Sequence, residues 1–191
     1  MIENERLRVA ILIASTRQGR FAPVVANWFA GYIQTREEFL VDIIDLAETA
    51  LPDVLSQNPI PAVEAVRLRL ADADAFVIVT PEYNHSFPGP LKTAIDWYSK
   101  EWHAKPVAFV AYGGSAGGLR AVEQLRQVFA ELHSVTVRNA IGFAMAWEHF
   151  DEAGRVRDRA RHEKAAGAML DQLAWWGQAL KQGRSVRPYP S

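Results

Sequence analysis

The most constraining feature of this sequence is the stretch of residues 74–99, where a strand pattern runs into a helix pattern through a loop. Residues 76–80 form an apolar, largely β-branched run, and residues 91–98 carry apolar side chains at helical spacing. Three prolines and Gly89 interrupt the chain between them. This order is half of a βαβ unit. In open α/β sheets the ligand lies at the carboxyl ends of the strands, so we expect the chemistry in the intervening loop, residues 81–87.

The same alternation continues along the whole chain. Near-continuous apolar runs of this kind are typical of parallel strands that are covered on both faces. The pattern predicts an α/β protein with a five-stranded parallel sheet of order 2-1-3-4-5, formed by one domain over residues 1–191 with a loose tail at 183–191. Residues 138–158 read as irregular. The predicted strands are 7–13, 39–44, 76–80, 107–112 and 135–137, and the predicted helices are 23–36, 61–72, one from about 91, 119–132 and 160–182.

Composition excludes several classes of protein. The 21 basic and 22 acidic residues give a net charge of -1, which argues against a general nucleic-acid binder. The chain has no cysteine, so disulfides and thiol catalysis are excluded. The lack of cysteine agrees with a location in a reducing cytoplasm. No apolar run approaches the roughly 20 residues that span a bilayer, and the N-terminus lacks an apolar signal core. We therefore expect a cytoplasmic protein without a membrane partner.

The loop after the first predicted strand is a candidate phosphate site. It contains the hydroxyls of Ser15 and Thr16 and the cations of Arg17 and Arg20, just before a helix. The N-terminus of a helix binds phosphate through unpaired N–H groups and its partial positive charge. The alternative is that Ser15 or Thr16 only caps the helix or turns the chain. Because both the P-loop motif and the G-x-G-x-x-G fingerprint are missing here, a phosphate ligand would be a monophosphate.

The loop after the third predicted strand could face a planar, partly polar ring. Tyr83 and Phe87 offer flat surfaces, while Glu82 and Asn84 offer polar groups. The alternative is a proline-stiffened turn whose aromatic residues cover the sheet edge. His85 is either an acid–base group or an exposed residue without a catalytic role.

The loop after the fourth predicted strand is glycine-rich, with the sequence GGSAGG at residues 113–118. Glycines let backbone N–H groups approach a ligand closely. This signal is weak by itself, and its position at the same sheet end strengthens it. The remaining histidines show no metal-ligand spacing, so we expect no metal.

The motifs in these three loops resemble the NAD(P)H-dependent FMN reductase family. These are flavodoxin-like flavoproteins, three-layer sandwiches that include quinone, azo and chromate reductases. The order and spacing of the motifs match those of the family over roughly residues 7–135. One departure is His85, at a position where glycine is frequent in the family. The segments that carry the resemblance are 15–20, 80–84, 88–97 and 112–118.

The resemblance implies FMN, bound non-covalently between the three loops. Similar proteins are homodimers or homotetramers whose flavin pockets are completed by the partner subunit. The flavin carries the hydride chemistry, so the resemblance assigns no catalytic side chain. The implied FMN-binding residues are Ser15, Arg17, Arg20 and nearby Gln18 for the phosphate, Pro81, Glu82, Tyr83 and Asn84 for the ring and ribityl chain, and Gly113, Ser115 and Gly117 on the other side.

The function implied is an oxidoreductase that works by a ping-pong mechanism. NADPH or NADH would pass hydride to the flavin, and a small acceptor such as a quinone, free flavin or azo compound would then take the electrons. The alternative is a flavodoxin-type electron carrier, but such carriers are strongly acidic and the net charge here is only -1. A third hypothesis is a phosphate-binding regulator with the same fold and no flavin.

Overall fold

A computed structural model describes residues 6–58 and 60–190 and contains a five-stranded parallel sheet of order β2-β1-β3-β4-β5. The predicted strand order is therefore confirmed. The strands are β1 (Leu7–Ile13), β2 (Phe39–Asp45), β3 (Ala75–Pro81), β4 (Pro106–Gly113) and β5 (Val135–Ala144). The helices are α1 (Ala22–Ile33), α2 (Pro61–Asp72), α3 (Gly89–Asp96), α4 (Leu119–Glu131) and α5 (Arg159–Val186), with a short 3-10 helix at Ala146–Glu148.

Strand β3 is the centre of the sheet and is buried over its whole length. Its side chains alternate between two hydrophobic cores. Val77 and Val79 pack with α1 and α5 on one face, and Phe76 and Ile78 pack with α2, α3 and α4 on the other. Burial on both faces explains why the run is apolar without alternation, and it gives the three layers of a flavodoxin-like fold.

Three of the helices begin with a proline in their first turn, at Pro23, Pro61 and Pro90. Proline suits this position because its missing N–H has no intrahelical partner there and its fixed φ is already helical. These prolines therefore mark the places where a loop from the sheet turns into a covering helix.

Two predicted boundaries differ from the structure by four residues or more. Strand β5 continues through residues 138–144, which were predicted to be irregular, and it stays paired with β4 across a register shift between Val107 and Phe109. Within this extension Ile141 and Phe143 are buried at the alternating spacing of a strand, a signal that the prediction missed. Helix α5 continues to Val186, four residues into the predicted tail. The assignment of residues 1–191 to one domain stays a prediction, and residues 1–5 and Ser191 lie outside the described residues.

The longest helix is α5, with 28 residues. Within residues 6–58 and 60–190, neither α5 nor any other helix has an apolar stretch long enough to cross a membrane.

The junction between β4 and α4 depends on Gly118. This residue precedes the first residue of α4 and has φ +86°, a left-handed conformation that side chains disfavour. A Cβ atom at this position would lie 2.6 Å from the backbone nitrogen of Tyr112 and 2.6 Å from Cβ of Ala111. Only glycine therefore lets the helix start so close to the strand.

We expect Gly118→Ala to lower the free energy of unfolding by about 3 kcal/mol or more. Two costs add, the strain of a left-handed φ and the steric overlap of the new Cβ with backbone atoms. Gly114→Ala is the matched control, since beyond its chain neighbours no described atom lies within 4 Å of the place that its Cβ would take and its φ is not left-handed. Urea unfolding of both variants measures the difference. Equal stability of the two variants would contradict the role of Gly118.

Candidate functional site

The register of the sheet brings three loops to one edge. Ile13 at the end of β1 pairs with Val79, and Pro81 at the end of β3 pairs with Tyr112. Because the strands are parallel, their carboxyl ends lie at the same edge and the loops that follow them are neighbours. We call these the first loop (14–21), the third loop (82–88) and the fourth loop (114–118).

Ser15 joins the first loop to the third. Its side chain is buried, and its hydroxyl lies 2.9 Å from the hydroxyl of Tyr83. The alternative that Ser15 or Thr16 caps α1 is wrong, because the residue before the helix is Phe21 and no described side chain caps its N-terminus. The other alternative, that Ser15 turns the chain, agrees with the hydrogen bond of 3.5 Å that its hydroxyl accepts from the N–H of Arg17. The N–H groups of the first turn of α1 therefore receive no side-chain cap from the first loop.

Arg20 is held inside the site by Asp45, the last residue of β2. The two guanidinium nitrogens bind the two carboxylate oxygens, one at 2.6 Å, and the guanidinium also donates to the carbonyl of Ser15 at 2.8 Å. The hydrogen bonds to Asp45 raise the pKa of Arg20. Asp45 was not predicted as a site residue, although the strand order 2-1 places the end of β2 beside the first loop.

Arg17 differs from Arg20 because it is exposed and has no ion-pair partner within the described part of the chain. Beside it, the backbone N–H groups of Thr16, Gln18 and Gly19 have no acceptor among residues 6–58 and 60–190. A cavity of about 240 Å³ borders this loop at Thr16, and its other walls are residues 46–53 and the start of α3. A guanidinium and three unpaired N–H groups suit a phosphate monoester.

The third loop is a two-residue β-hairpin. Tyr83 and Ser86 exchange backbone hydrogen bonds of 2.9 and 3.0 Å, and the residues between them, Asn84 and His85, have φ of +51° and +67°. Two positive φ angles are the property of a type I′ turn, for which Asn-Gly is the preferred sequence. The turn is therefore closed by its own backbone and is not stiffened by the prolines alone. Phe87 is half-buried and packs against the core on the α2–α4 face, so part of its ring is covered.

Helix α4 contacts the third loop through two side chains that were not predicted as site residues. Arg120 donates to the Glu82 carboxylate at 3.0 Å, and Gln124 donates to the carbonyl of His85 at 2.8 Å. Their i, i+4 spacing puts them on one face of α4, but nothing in the local pattern indicates which loop that face meets. The imidazole of His85 is exposed, with no hydrogen bond to a described residue.

The fourth loop packs tightly at its end and is open at its start. A Cβ on Gly117 would lie 2.9 Å from the backbone nitrogen of Ala144, whereas no described atom crowds Gly114. Among the residues that the structure describes, the N–H groups of Ser115 and Ala116 have no acceptor. Beneath the loop, burial raises the pKa of Tyr112, another residue that was not predicted for the site.

These features fit a planar group that carries a phosphate, such as FMN. Unpaired donors for a phosphate lie in the first loop, unpaired N–H groups lie in the fourth loop, and the half-buried ring of Tyr83 belongs to the loop between them. The fold brings all the residues predicted for FMN binding to this one edge of the sheet. They are Ser15, Arg17, Gln18, Arg20, Pro81, Glu82, Tyr83, Asn84, Gly113, Ser115 and Gly117.

Comparison with known proteins gives the same class of enzyme. The chain is similar to an NAD(P)H-dependent FMN reductase of Saccharomyces cerevisiae, at 34% identity over 71% of this chain and 78% of the relative. It is also similar to a quinone reductase of Escherichia coli, at 36% identity over 94% and 98% of the two chains. Among solved structures, it is similar to FerB, a flavoenzyme NAD(P)H:(acceptor) oxidoreductase of Paracoccus denitrificans. That match has a TM-score of 0.77 at 22% identity over 91% and 98% of the chains, and it supports the fold alone.

The model of one protein family, described as NADPH-dependent FMN reductase, matches residues 7–148. The match covers all five strands and all three loops of the site. This chain therefore belongs to the NADPH-dependent FMN reductase family, whose members are flavin-dependent oxidoreductases.

Proposed function

We propose that this chain is an FMN-containing reductase that oxidises NADPH or NADH and reduces a small acceptor such as a quinone, free flavin or azo compound. The observation that carries this proposal is the position of unpaired phosphate donors and unpaired backbone N–H groups in neighbouring loops at one sheet edge. The quinone reductase of Escherichia coli, with its near-complete coverage, supports a quinone as acceptor.

In the first loop, the N–H groups of Thr16, Gln18 and Gly19 and the guanidinium of Arg17 would bind the FMN phosphate. Arg20 would act differently from Arg17, because Asp45 already neutralises it and its bond to the Ser15 carbonyl holds the loop in shape. Ser15 would likewise position Tyr83 through their shared hydrogen bond. The predicted phosphate residues therefore divide into those that contact the ligand and those that support the loop.

The third and fourth loops would hold the ring and ribityl chain. We assign Pro81, Glu82, Tyr83 and Asn84 to one side of the ligand. Because the Glu82 carboxylate already binds Arg120, its contribution to the ligand would come from its backbone. Gly113, Ser115 and Gly117 are assigned to the other side.

When bound, FMN supplies the centre that accepts hydride and passes electrons on. The chain supplies orientation and electrostatics. The N–H groups of Ser115 and Ala116, together with the start of α4, would stabilise negative charge on a ring held against them. Burial raises the pKa of the Tyr112 hydroxyl above its ordinary value. The proposal assigns no side chain as a proton donor.

We further propose that the chain is a homodimer or homotetramer. Leu119, Met145 and Trp147 border the fourth loop and are 48%, 37% and 58% exposed. Exposed apolar residues beside a ligand site suit a partner subunit that covers it. Sedimentation velocity tests this proposal, and a monomeric mass would contradict it.

A cytoplasmic location stays a prediction of the sequence.

A visible spectrum of the purified protein with FMN, taken before and after anaerobic NADPH, tests the proposed function. We expect bound-flavin absorbance that bleaches on addition of NADPH or NADH and returns when a quinone is added. Bound flavin that stays oxidised with both nucleotides would instead indicate an electron carrier. If no flavin binds, the three loops hold another ligand and the proposal is wrong.

Arg17→Ala should weaken FMN binding about tenfold to a hundredfold, because a charge-assisted hydrogen bond contributes about 1.5–3 kcal/mol. Riboflavin, which lacks the phosphate, should bind the variant and the unaltered chain equally. Fluorescence titration with both ligands measures the two affinities. Arg161→Ala, an exposed arginine on α5, is the matched control. Unchanged FMN affinity, or equal losses for FMN and riboflavin, would rule out a phosphate contact.

A further inference from the structure

The turn of the third loop has an unusual sequence for its shape. Both central residues of a type I′ turn have positive φ, and glycine at the second position adopts that conformation without steric cost. Here the second position is His85, with φ +67°. Asn84 tolerates the left-handed region because its short polar side chain bonds locally, whereas histidine has less of this advantage. The turn is therefore less favourable by itself than an Asn-Gly turn would be.

Gln124 supplies contacts that offset this cost. Its side-chain NH₂ donates to the carbonyl of His85 at 2.8 Å, and its side-chain oxygen accepts from the hydroxyl of Ser86 at 2.6 Å. A carbonyl only accepts, so these two partners define the orientation of the amide. The amide nitrogen and the amide oxygen of Gln124 thus bind two successive residues of the turn, His85 and Ser86.

Arg120, one turn earlier on α4, holds the start of the same loop. Its guanidinium donates to one oxygen of the Glu82 carboxylate at 3.0 Å, and its backbone N–H lies 3.3 Å from the other. The Glu82 side chain is only 9% exposed. Helix α4 therefore fixes the third loop at its beginning and at its tip, and Gln124 makes the contacts at the tip.

We propose that Gln124 is a positioning residue that maintains the type I′ turn at residues 83–86. By maintaining the turn, Gln124 also determines the positions of Tyr83 and Asn84 in the FMN site. This second step of the proposal rests on the proposed function. Neither contact to the turn uses the imidazole of His85, so its ring stays available at the tip of the loop.

Amide hydrogen exchange of the FMN-free protein tests the first step without any activity assay. Gln124→Ala should speed exchange of the Ser86 and Tyr83 amides about tenfold. The reason is that losing a hydrogen bond to the turn raises the equilibrium constant for its opening about tenfold. Gln127→Ala is the matched control, because Gln127 lies on the same helix, is exposed and has a side chain without a hydrogen bond to a described residue. Equal exchange rates in the two variants would overturn the proposal.

A second comparison tests whether the contacts offset the strain at His85. In a His85→Gly background, Gln124→Ala should speed exchange by less than about twofold, because an Asn-Gly turn is stable by itself. An unchanged tenfold effect in that background would show that strain at His85 is not what Gln124 offsets. His85→Gly removes no contact to Gln124, since that contact is to the backbone carbonyl.

Measurements of FMN affinity test whether Gln124 also positions the ligand site. Gln124→Ala should weaken FMN binding about fivefold while Gln127→Ala leaves it unchanged, and His85→Gly should restore most of the loss. If the unaltered chain binds no FMN, the proposed function fails, and the exchange measurements still decide the role of Gln124. If FMN binds equally to all variants while exchange differs, Gln124 maintains the turn without positioning the ligand site.

Discussion

The parallel pairing of β1, β3 and β4 fixes where every part of the site lies. These strands are buried on both faces, so polar groups have room only where the strands end. The pairs Ile13–Val79 and Pro81–Tyr112 keep those ends close to one another along the sheet. Three loops with unpaired backbone groups therefore meet at one edge, and a ligand that satisfies those groups binds without disturbing either core.

Burial gives the two arginines of the first loop different roles. Arg20 is largely enclosed, and an enclosed cation needs a partner, which Asp45 provides from the neighbouring strand. Arg17 stays in solvent, where an unpaired charge costs little and remains available to a phosphate. One arginine thus joins the ends of β1 and β2 through the first loop, while the other is free for recognition.

Helix α4 connects the two loops on either side of the site. Its first residue follows Gly118, whose close approach to β4 sets the shape of the fourth loop. Its exposed face holds the third loop through Arg120 and Gln124. A shift of this helix would therefore move both loops together, so the width of the site depends on how α4 packs against β4 and β5.

The elements, the sheet order and the three loops of the site could all be predicted from the sequence, because burial on both faces leaves continuous apolar runs and because glycine and proline mark the turns. The motifs that relate the chain to its family are local as well. Which arginine is paired could not be predicted, since Asp45 lies 25 residues from Arg20 along the chain. Nor did the sequence indicate that Gln124 meets His85, 39 residues away, or that the pairing of β5 with β4 shifts in register between Val107 and Phe109. These contacts depend on which elements lie side by side, and that arrangement exists only once the chain has folded.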